Sequence, residues 1–325
     1  MEKIIFPELI CPFQSTLNPN VVSVNRHTIE WVQRFNLVSG DRALERFKAA
    51  RFAWLAARAY PTAPLQELLI VAEWNIWLFI HDDECDEAGI GRQPERLAQV
   101  YERLRSIFEG APPAVRDTPL AHALHELWQR MRRNSSLEWR ARFLKSVEDY
   151  FAACLWEAEN RAADRVPDME TYVRLRPLTG ALNTDFELIE PCEHIYLPLE
   201  VYQDPTLQQL ALLCNNVVCW SNDIFSLEKE RRTDNRHNLV IIVQNEWKCS
   251  WQEAVDAVAA MHNAEVRKFL HLASQLPSFG PEVDGELARF VAILRSWMRG
   301  NFDWAFDTGR YGVSAAQELE NRACA

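Results

Sequence analysis

A cluster of acidic residues closes a strongly apolar stretch of the sequence. Residues 68–80 are almost continuously hydrophobic and predict a buried helix, and residues 81–87, which follow, contain five carboxylates. The C-terminal end of a helix already carries partial negative charge, so carboxylates there repel one another and the helix dipole. Asp82 and Asp86 share one helix face, and Asp83 is rotated from it by about 100°. We therefore expect a hard divalent cation such as Mg²⁺, which prefers oxygen ligands; a solvated acidic helix end is the alternative.

A second set of oxygen-bearing side chains lies on a predicted helix later in the chain. Asn222, Ser226 and Glu230 follow one another at intervals of four residues, so an amide, a hydroxyl and a carboxylate stack on one face. Such a set suits a cation that also binds an anionic ligand, and Lys229 could reach a phosphate oxygen. The apolar run at 207–220 buries this helix, and buried polar groups need partners, which argues against a merely exposed face.

Two further features carry weaker signals. The helix breakers Pro177 and Gly180 interrupt a helical stretch and would free backbone carbonyls beside an arginine, although a plain turn between helices is an equally good explanation. The pair Arg310 and Tyr311 follows an aromatic segment, and taken alone it is uninformative.

Helical periodicity extends over nearly the whole chain, and only 10 glycines among 325 residues argue against β structure. We predict an all-α fold with one domain over residues 1–325, in which residues 1–24 form an irregular N-terminal strap and residues 312–325 a flexible tail. The predicted helices cover residues 26–37, 42–60, 64–86, 94–109, 119–133, 137–163, 168–175, 178–190, 206–230, 238–247, 250–275 and 284–306.

The composition excludes several classes of protein. A net charge of -11 and a pI near 5.3 argue against a nucleic-acid binder. The N-terminus lacks the apolar run of a signal peptide, and Glu73 and Asn75 interrupt the longest apolar segment, so we expect no membrane insertion. The eight cysteines include no Cys-x-x-Cys pair, as is typical of reduced thiols in a cytoplasmic protein. A monomer or a homodimer is expected.

Taken together and in this order, the four features resemble the microbial class I terpene synthases, also called terpene cyclases. The acidic cluster matches their aspartate-rich motif, and residues 222–230 match their second metal motif, Asn-Asp-x-x-Ser-x-x-Lys-Glu, at every fixed position. Arg310 and Tyr311 match their late Arg-Tyr pair, and Trp304 stands where the family carries a tryptophan. The resemblance extends over roughly residues 25–311.

The resemblance implies a single-domain α-helical bundle around a deep central pocket. Two metal motifs would face each other across its mouth, and three Mg²⁺ ions would grip the diphosphate of a linear prenyl substrate. The implied metal ligands are Asp82, Asp83, Asp86, Asn222, Ser226 and Glu230. The implied diphosphate ligands are Arg176, Lys229, Arg310 and Tyr311.

Further roles follow from the resemblance. Arg176 stands 46 positions before Asn222, where the family carries its diphosphate sensor, so Thr179 falls at the linker position and Gly180 at the effector position. The linker is commonly an acid, and the threonine is a departure that puts its orienting role in question. Cation-facing aromatic rings are expected at two positions, although core packing is the alternative for both: Phe79 and Trp304.

The implied reaction is Mg²⁺-dependent ionisation and cyclisation of a prenyl diphosphate to a cyclic terpene hydrocarbon or alcohol, with release of diphosphate. Farnesyl diphosphate is the expected substrate; geranylgeranyl diphosphate, as used by diterpene synthases, and geranyl diphosphate stay open. A chain-elongating prenyltransferase would need a second aspartate-rich motif at residues 222–230, and a class II cyclase would need an Asp-x-Asp-Asp acid. A non-catalytic all-α interaction protein would have no affinity for Mg²⁺ or diphosphate.

Overall fold

The chain folds into packed α-helices, and no β-strand occurs among residues 4–87, 89–133, 135–233 and 235–311, which the computed structural model describes. The side chains of residues 86 and 87 and the predicted tail at 312–325 lie outside the described part. The all-α prediction is confirmed. The helices are α1 (Val21–Arg34), α2 (Asp41–Ala50), α3 (Phe52–Ala59), α4 (Leu65–Glu87), α5 (Pro94–Phe108), α6 (Pro119–Met131), α7 (Leu137–Ala162), α8 (Met169–Thr179), α9 (Leu182–Glu193), α10 (Leu199–Tyr202), α11 (Pro205–Thr233), α12 (Leu239–Trp247), α13 (Trp251–Ala273) and α14 (Pro281–Asp307).

The two helices that carry the oxygen-bearing motifs are surrounded by other helices. α4 packs against α1, α3, α6 and α9, and α11 packs against α8, α9, α12, α13 and α14. Because α4 is enclosed, its side chains are apolar all round rather than along one stripe. Trp74 Nε1 donates to Thr184 Oγ1 on α9 at 2.8 Å, and Trp77 Nε1 donates to the Leu120 carbonyl on α6 at 2.9 Å. These bonds satisfy buried donors and fix the position of α4, and so of its acidic end.

The N-terminal segment is irregular over residues 4–20 and lies against α13 and α14. The amide side chains of Gln252 and Asn263 on α13 hold its backbone through hydrogen bonds of 2.7 to 3.1 Å. The prediction of an irregular strap over residues 1–24 is wrong at its C-terminal end, because α1 begins at Val21.

One predicted helix is two. The segment 42–60 is divided into α2 and α3 at Arg51, whose φ of 53° lies in the left-handed region and interrupts the helical path. The predicted helices between residues 64 and 163 and between residues 206 and 306 begin and end within three residues of the observed helices.

The break predicted at Pro177 lies elsewhere. α8 continues through Pro177 to Thr179, and the chain leaves the helix at Ala181, whose φ is 58°. The Pro177 carbonyl accepts from Asn215 Nδ2 on α11 at 2.9 Å, so this part of α8 is tied to a neighbouring helix. The following helix begins at Leu182 rather than at residue 178. Among the described residues, no helix is both long and apolar enough to cross a membrane.

Candidate active site

The C-terminal ends of α4 and α11 meet beside the segment that follows α14. Lys229 Nζ on α11 lies 3.2 Å from Asp83 Oδ1 on α4. Arg310 donates to both carboxylate oxygens of Asp83 at 2.8 and 2.9 Å and lies 3.5 Å from Asp82 Oδ2. Three segments that are far apart in the sequence therefore converge at one place. The side chain of Asp86, the third predicted α4 ligand, is outside the described part of the structure.

Asp82 and Asp83 differ in their surroundings. Burial alone would raise the pKa of Asp83, but Arg310 and Lys229 hold that pKa below its ordinary value. The Asp83 carboxylate is thus already paired with two cationic side chains. Asp82, by contrast, has a side chain that is 54% exposed and lines the cavity below. Of the two, Asp82 is the carboxylate with coordination sites to offer a metal.

A cavity of about 930 Å³, a volume that includes its open mouth, lies beneath this convergence. Leu55, Leu78, Val218 and Trp297 supply apolar parts of its wall. The predicted site residues that line it are Phe79, Asp82, Arg176, Thr179, Gly180, Asn222 and Glu230.

The predicted ligands on α11 form a mixed oxygen site. Ser226 Oγ donates to the Asn222 carbonyl at 2.7 Å, which leaves the lone pairs of the hydroxyl available. Glu230 Oε2 is buried and has no hydrogen-bond partner in the described part of the structure. Burial, together with the nearby charge of Asp223, raises the pKa of Glu230 to about 7. An orphaned carboxylate oxygen beside a hydroxyl and an amide fits a divalent cation with hard oxygen ligands.

The described residues contain no cluster of three or more His, Cys, Asp and Glu side chains that could hold a metal by themselves. A cation at this site would therefore depend on the amide and hydroxyl of α11 and on oxygens that an anionic ligand brings. That dependence is the expected behaviour of a site that binds a metal and a phosphate together.

Arg176 is held by an acid that sequence reasoning did not single out. Asp223 Oδ1 accepts from Arg176 Nε at 3.0 Å and from Nη2 at 2.8 Å, and Asn222 Oδ1 accepts from Nη2 at 3.1 Å. Asp223 also accepts from the Tyr172 hydroxyl and from the N–H of Leu239, both at 3.0 Å. The available signal was a carboxylate on a buried helix, which demands a cationic partner.

The departure at the linker position is explained by this geometry. Thr179 Oγ1 lies 3.5 Å from Arg176 Nη1, at the outer limit of a hydrogen bond. Asp223, which is only 1% exposed at its side chain, supplies the two short contacts that orient the guanidinium. Arg176 therefore does not rely on an acid at position 179.

The two predicted aromatic rings have different positions. Phe79 lines the cavity, stacks on Phe52 and lies 4.9 Å from the Arg310 guanidinium carbon. Trp304 does not line the cavity; it is fully buried, and its Nε1 donates to the carbonyls of Ala50 and Arg51 at 2.8 and 3.1 Å. A cation-facing role for Trp304 is therefore not supported by its position, and we assign it to the packing behind Phe79 and Tyr311.

Tyr311 and Gly180 complete the set. The Tyr311 hydroxyl accepts from Asn222 Nδ2 at 2.7 Å, which joins the C-terminal segment to α11. Gly180 lies at the cavity wall with a φ of −70°, so its backbone does not need glycine. The available space does require glycine, because a Cβ atom at this position would lie 2.4 Å from Cys219 Sγ.

Polar groups that sequence reasoning missed also line the cavity. On α7, Glu157 is paired with Arg161 at 3.1 Å, and both face the cavity together with Asn235 and His237. Burial raises the pKa of Glu157 and lowers that of His237 to about 3. The signal in the sequence was the spacing of four residues between Glu157 and Arg161, which is common on any helix surface.

Comparisons with known proteins agree with this geometry. A family model described as "Terpene synthase family 2, C-terminal metal binding" matches residues 73–268. The chain is similar to germacrene A synthase of Nostoc punctiforme, with 36% identity over 96% of both chains. It is also similar to a (+)-T-muurolol synthase ((2E,6E)-farnesyl diphosphate cyclizing) of Roseiflexus castenholzii, with 37% identity over 96% of this chain and 95% of the relative. Among solved structures, germacradien-4-ol synthase of Streptomyces citricolor matches with a TM-score of 0.81 and 30% identity over 92% of this chain and 98% of its own.

Proposed function

The chain belongs to the terpene synthase family, and we propose that it ionises and cyclises farnesyl diphosphate to a cyclic terpene hydrocarbon or alcohol with release of diphosphate. Membership makes it an enzyme of the lyase class. The observation that carries the proposal is the convergence of Asp82, Arg176 and Glu230 at one cavity. Arg310 lies 3.5 Å from Asp82 Oδ2, and Glu230 contributes an orphaned carboxylate oxygen.

The choice of a C15 substrate is supported by a relative. The Roseiflexus castenholzii protein is named as farnesyl diphosphate cyclizing, and it resembles this chain along nearly its full length. We propose further that residues 1–325 form one catalytic domain that acts in the cytoplasm as a monomer or a homodimer. The shared hydrophobic core, which includes residues from α1 through α14, supports the single domain.

The cation set we propose is three Mg²⁺ ions. Asp82 and Asp86 would supply oxygen ligands from α4. The ligands from α11 would be Asn222, Ser226 and Glu230. When bound, Mg²⁺ supplies Lewis acidity that stabilises the negative charge of the departing diphosphate. Asp83 is better suited to hold Lys229 and Arg310 in position, because both of its oxygens are already engaged.

The cationic side chains bind and orient the diphosphate. Arg176 presents a guanidinium whose Nε and Nη2 are fixed by Asp223, so its remaining N–H groups stay directed without loss of rotamer entropy on binding. Arg310 and Lys229 bring positive charge next to Asp82 and Asp83, at the end of α4. Converging donors stabilise charge that develops on the leaving group more than charge already present, which is the requirement for acceleration.

The cavity wall then protects the carbocation that remains. Phe79 and Trp297 present aromatic rings, whose faces attract positive charge without forming a bond. Leu55, Leu78 and Val218 offer no nucleophile. The double bonds of the substrate are then the nucleophiles that attack the cation, and cyclisation follows.

We expect Mg²⁺ and inorganic diphosphate together to raise the melting temperature of the protein by about 4 °C when both are near 100 times their dissociation constants. Ligands that bind only the folded state stabilise it, and each of these two creates part of the other's site. Differential scanning fluorimetry checks the result, with Mg²⁺ alone and diphosphate alone as controls. No shift with the pair would contradict the proposal and favour a non-catalytic interaction protein.

The substrate is identified by incubating the protein and Mg²⁺ with geranyl, farnesyl or geranylgeranyl diphosphate. Gas chromatography of the extract should show a cyclic C15 product from farnesyl diphosphate. A product from geranylgeranyl diphosphate alone would assign the chain to the diterpene synthases.

Gly180→Ala should lower the turnover of farnesyl diphosphate by about 10- to 100-fold, because the added methyl group displaces Cys219 or the α8–α9 junction at the cavity wall. The double variant Gly180→Ala/Cys219→Ala removes the obstructing sulfur and should recover most of the activity. Initial rates of diphosphate release measure both. Equal loss in the single and double variants would rule out the steric explanation.

A further inference from the structure

Among the described residues, one carboxyl group in the wall of the cavity, away from the acidic mouth, has no cationic partner. Asp185 on α9 is 2% exposed, lines the cavity, and has an Oδ1 atom without a hydrogen-bond partner in the described part of the structure. Asn75, whose amide is near the Asp185 carboxyl group and also lines the cavity, lies seven residues before Asp82 on α4. That separation corresponds to about 10 Å along a helix axis, so Asp185 lies well below the diphosphate end of the cavity.

The surroundings of Asp185 do not stabilise the ionised form of its carboxyl group. No ion pair to Asp185 occurs among the described residues, and the Tyr60 hydroxyl donates to its backbone carbonyl rather than to its carboxyl group. Burial raises the pKa of Asp185 well above its ordinary value, and the Asn75 amide opposes this only in part. Burial without a cationic partner among the described residues favours the uncharged carboxylic acid, which has a proton to give.

Another acid on the same helix shows what a purely structural carboxylate looks like here. Glu187 accepts from Arg142 Nε at 3.1 Å and from the Tyr202 hydroxyl at 2.7 Å, and it does not line this cavity. Both of its oxygens have partners. In the part of the chain that the structure describes, Asp185 has neither a cationic partner nor a full set of hydrogen bonds, so stability does not account for a carboxyl group at this position.

The chemistry of the cavity restricts what such a group can do. An ionised carboxylate would attack a carbocation and trap it as an ester, whereas a neutral acid would not. A neutral acid can instead protonate an uncharged alkene, and the anion it leaves can remove a proton from a neighbouring cation. Burial permits this pair of steps because the charged form exists only while a carbocation is present to balance it.

We infer that Asp185 is a general acid and base in the cyclisation, an assignment that rests on the proposed function. The first cyclic cation loses a proton to the released diphosphate, which leaves an uncharged cyclic intermediate. The Asp185 O–H bond then breaks as a C–H bond forms on a double bond of this intermediate, whose electron pair makes the new bond and leaves a cation. The Asp185 carboxylate then takes a proton from the carbon beside the final cation, so a C–H bond breaks, a double bond forms and the O–H bond is restored. Protons and electrons balance over the cycle.

Turnover of farnesyl diphosphate and Mg²⁺ in D₂O tests this assignment. Before substrate binds, the Asp185 proton exchanges with solvent, so we expect each molecule of the wild-type product to gain one deuterium at carbon. Gas chromatography with mass spectrometry measures the gain, and diphosphate release in the same samples reports ionisation. Diphosphate release with an unlabelled product would overturn the assignment while leaving the proposed function standing. No diphosphate release would overturn both.

Asp185→Asn keeps the shape of the side chain and removes the acid. We expect the labelled fraction of the product to fall at least about tenfold, with an unlabelled, less cyclised isomer taking its place. Glu187→Gln is the matched control, because it alters a buried acid on the same helix outside the cavity, and its product should carry the wild-type label. Wild-type labelling in Asp185→Asn would contradict the inference. A wild-type product that contains oxygen from H₂¹⁸O and no deuterium at carbon would contradict it as well.

Discussion

Glu230→Ala should lower the rate of diphosphate release by about three orders of magnitude, equivalent to about 4 kcal/mol of lost transition-state stabilisation. Glu230 is the carboxylate of the α11 ligand set, and its Oε2 atom is buried with no hydrogen-bond partner in the described part of the structure. Asn222 and Ser226 are neutral, so nothing on this face replaces the lost charge. Initial rates with farnesyl diphosphate over a range of Mg²⁺ concentrations measure the effect, which excess Mg²⁺ should not reverse.

The same substitution should leave the fold intact. Removing Glu230 deletes a buried carboxylate that lacks a full set of partners, so the thermal midpoint should stay the same or rise. Glu228→Ala is the matched control, since its side chain is 33% exposed and its ion pairs with Arg231 and Arg232 lie within the same helix. Full activity in the Glu230 variant would remove α11 from metal binding.

Helical periodicity predicted the parts of the site that lie on single helices. Asn222, Ser226 and Glu230 are four residues apart, and that spacing is enough to place them on one face before any tertiary contact is known. The bounds of α4 and α11 followed in the same way, because both helices are long and their ends are marked by changes in polarity. The all-α fold class is confirmed for the same reason.

Contacts between helices could not be predicted from one sequence. The ion pair between Arg176 and Asp223 joins α8 to α11 across 47 positions of the chain, and periodicity identifies a face but not the partner opposite it. Asp185 escaped notice because its significance is the absence of a partner. Only the packed structure shows that Arg142 contacts Glu187 and that no cationic side chain among the described residues contacts Asp185.

The turn at Arg51 accounts both for the divided helix and for the position of Trp304. The left-handed turn at Arg51 divides a predicted single helix, and it leaves the carbonyl of Ala50 without a partner in a continued helix. Trp304 Nε1 donates to this carbonyl and to that of Arg51, and Thr308 Oγ1 donates to that of Ala50 at 2.8 Å. The indole is therefore directed to a helix junction, not to the cavity. Because the turn at Arg51 is not evident from the sequence, the direction of the Trp304 side chain is not evident either.

Asp82→Ala should reduce diphosphate release by about three orders of magnitude, a loss as large as that at Glu230. Asp82 lines the cavity, its side chain is 54% exposed, and its nearest cationic contact, with Arg310, is a long 3.5 Å. It is the α4 carboxylate with oxygens left for Mg²⁺. Steady-state rates of diphosphate release measure the loss, and the Mg²⁺ and diphosphate shift in melting temperature should shrink with it.

Two neighbouring substitutions separate a metal ligand from other acids on the same helix end. Glu84→Ala removes an exposed carboxylate and should keep the wild-type rate, which excludes a general effect of negative charge at the mouth. Asp83→Ala releases Arg310 and Lys229 from their shared partner, so we expect it to raise KM and to lower kcat less than Asp82→Ala does. If Asp83→Ala abolished turnover while Asp82→Ala retained it, the roles of the two aspartates would have to be exchanged, because the carboxylate engaged by cations here would then be the one that binds the metal.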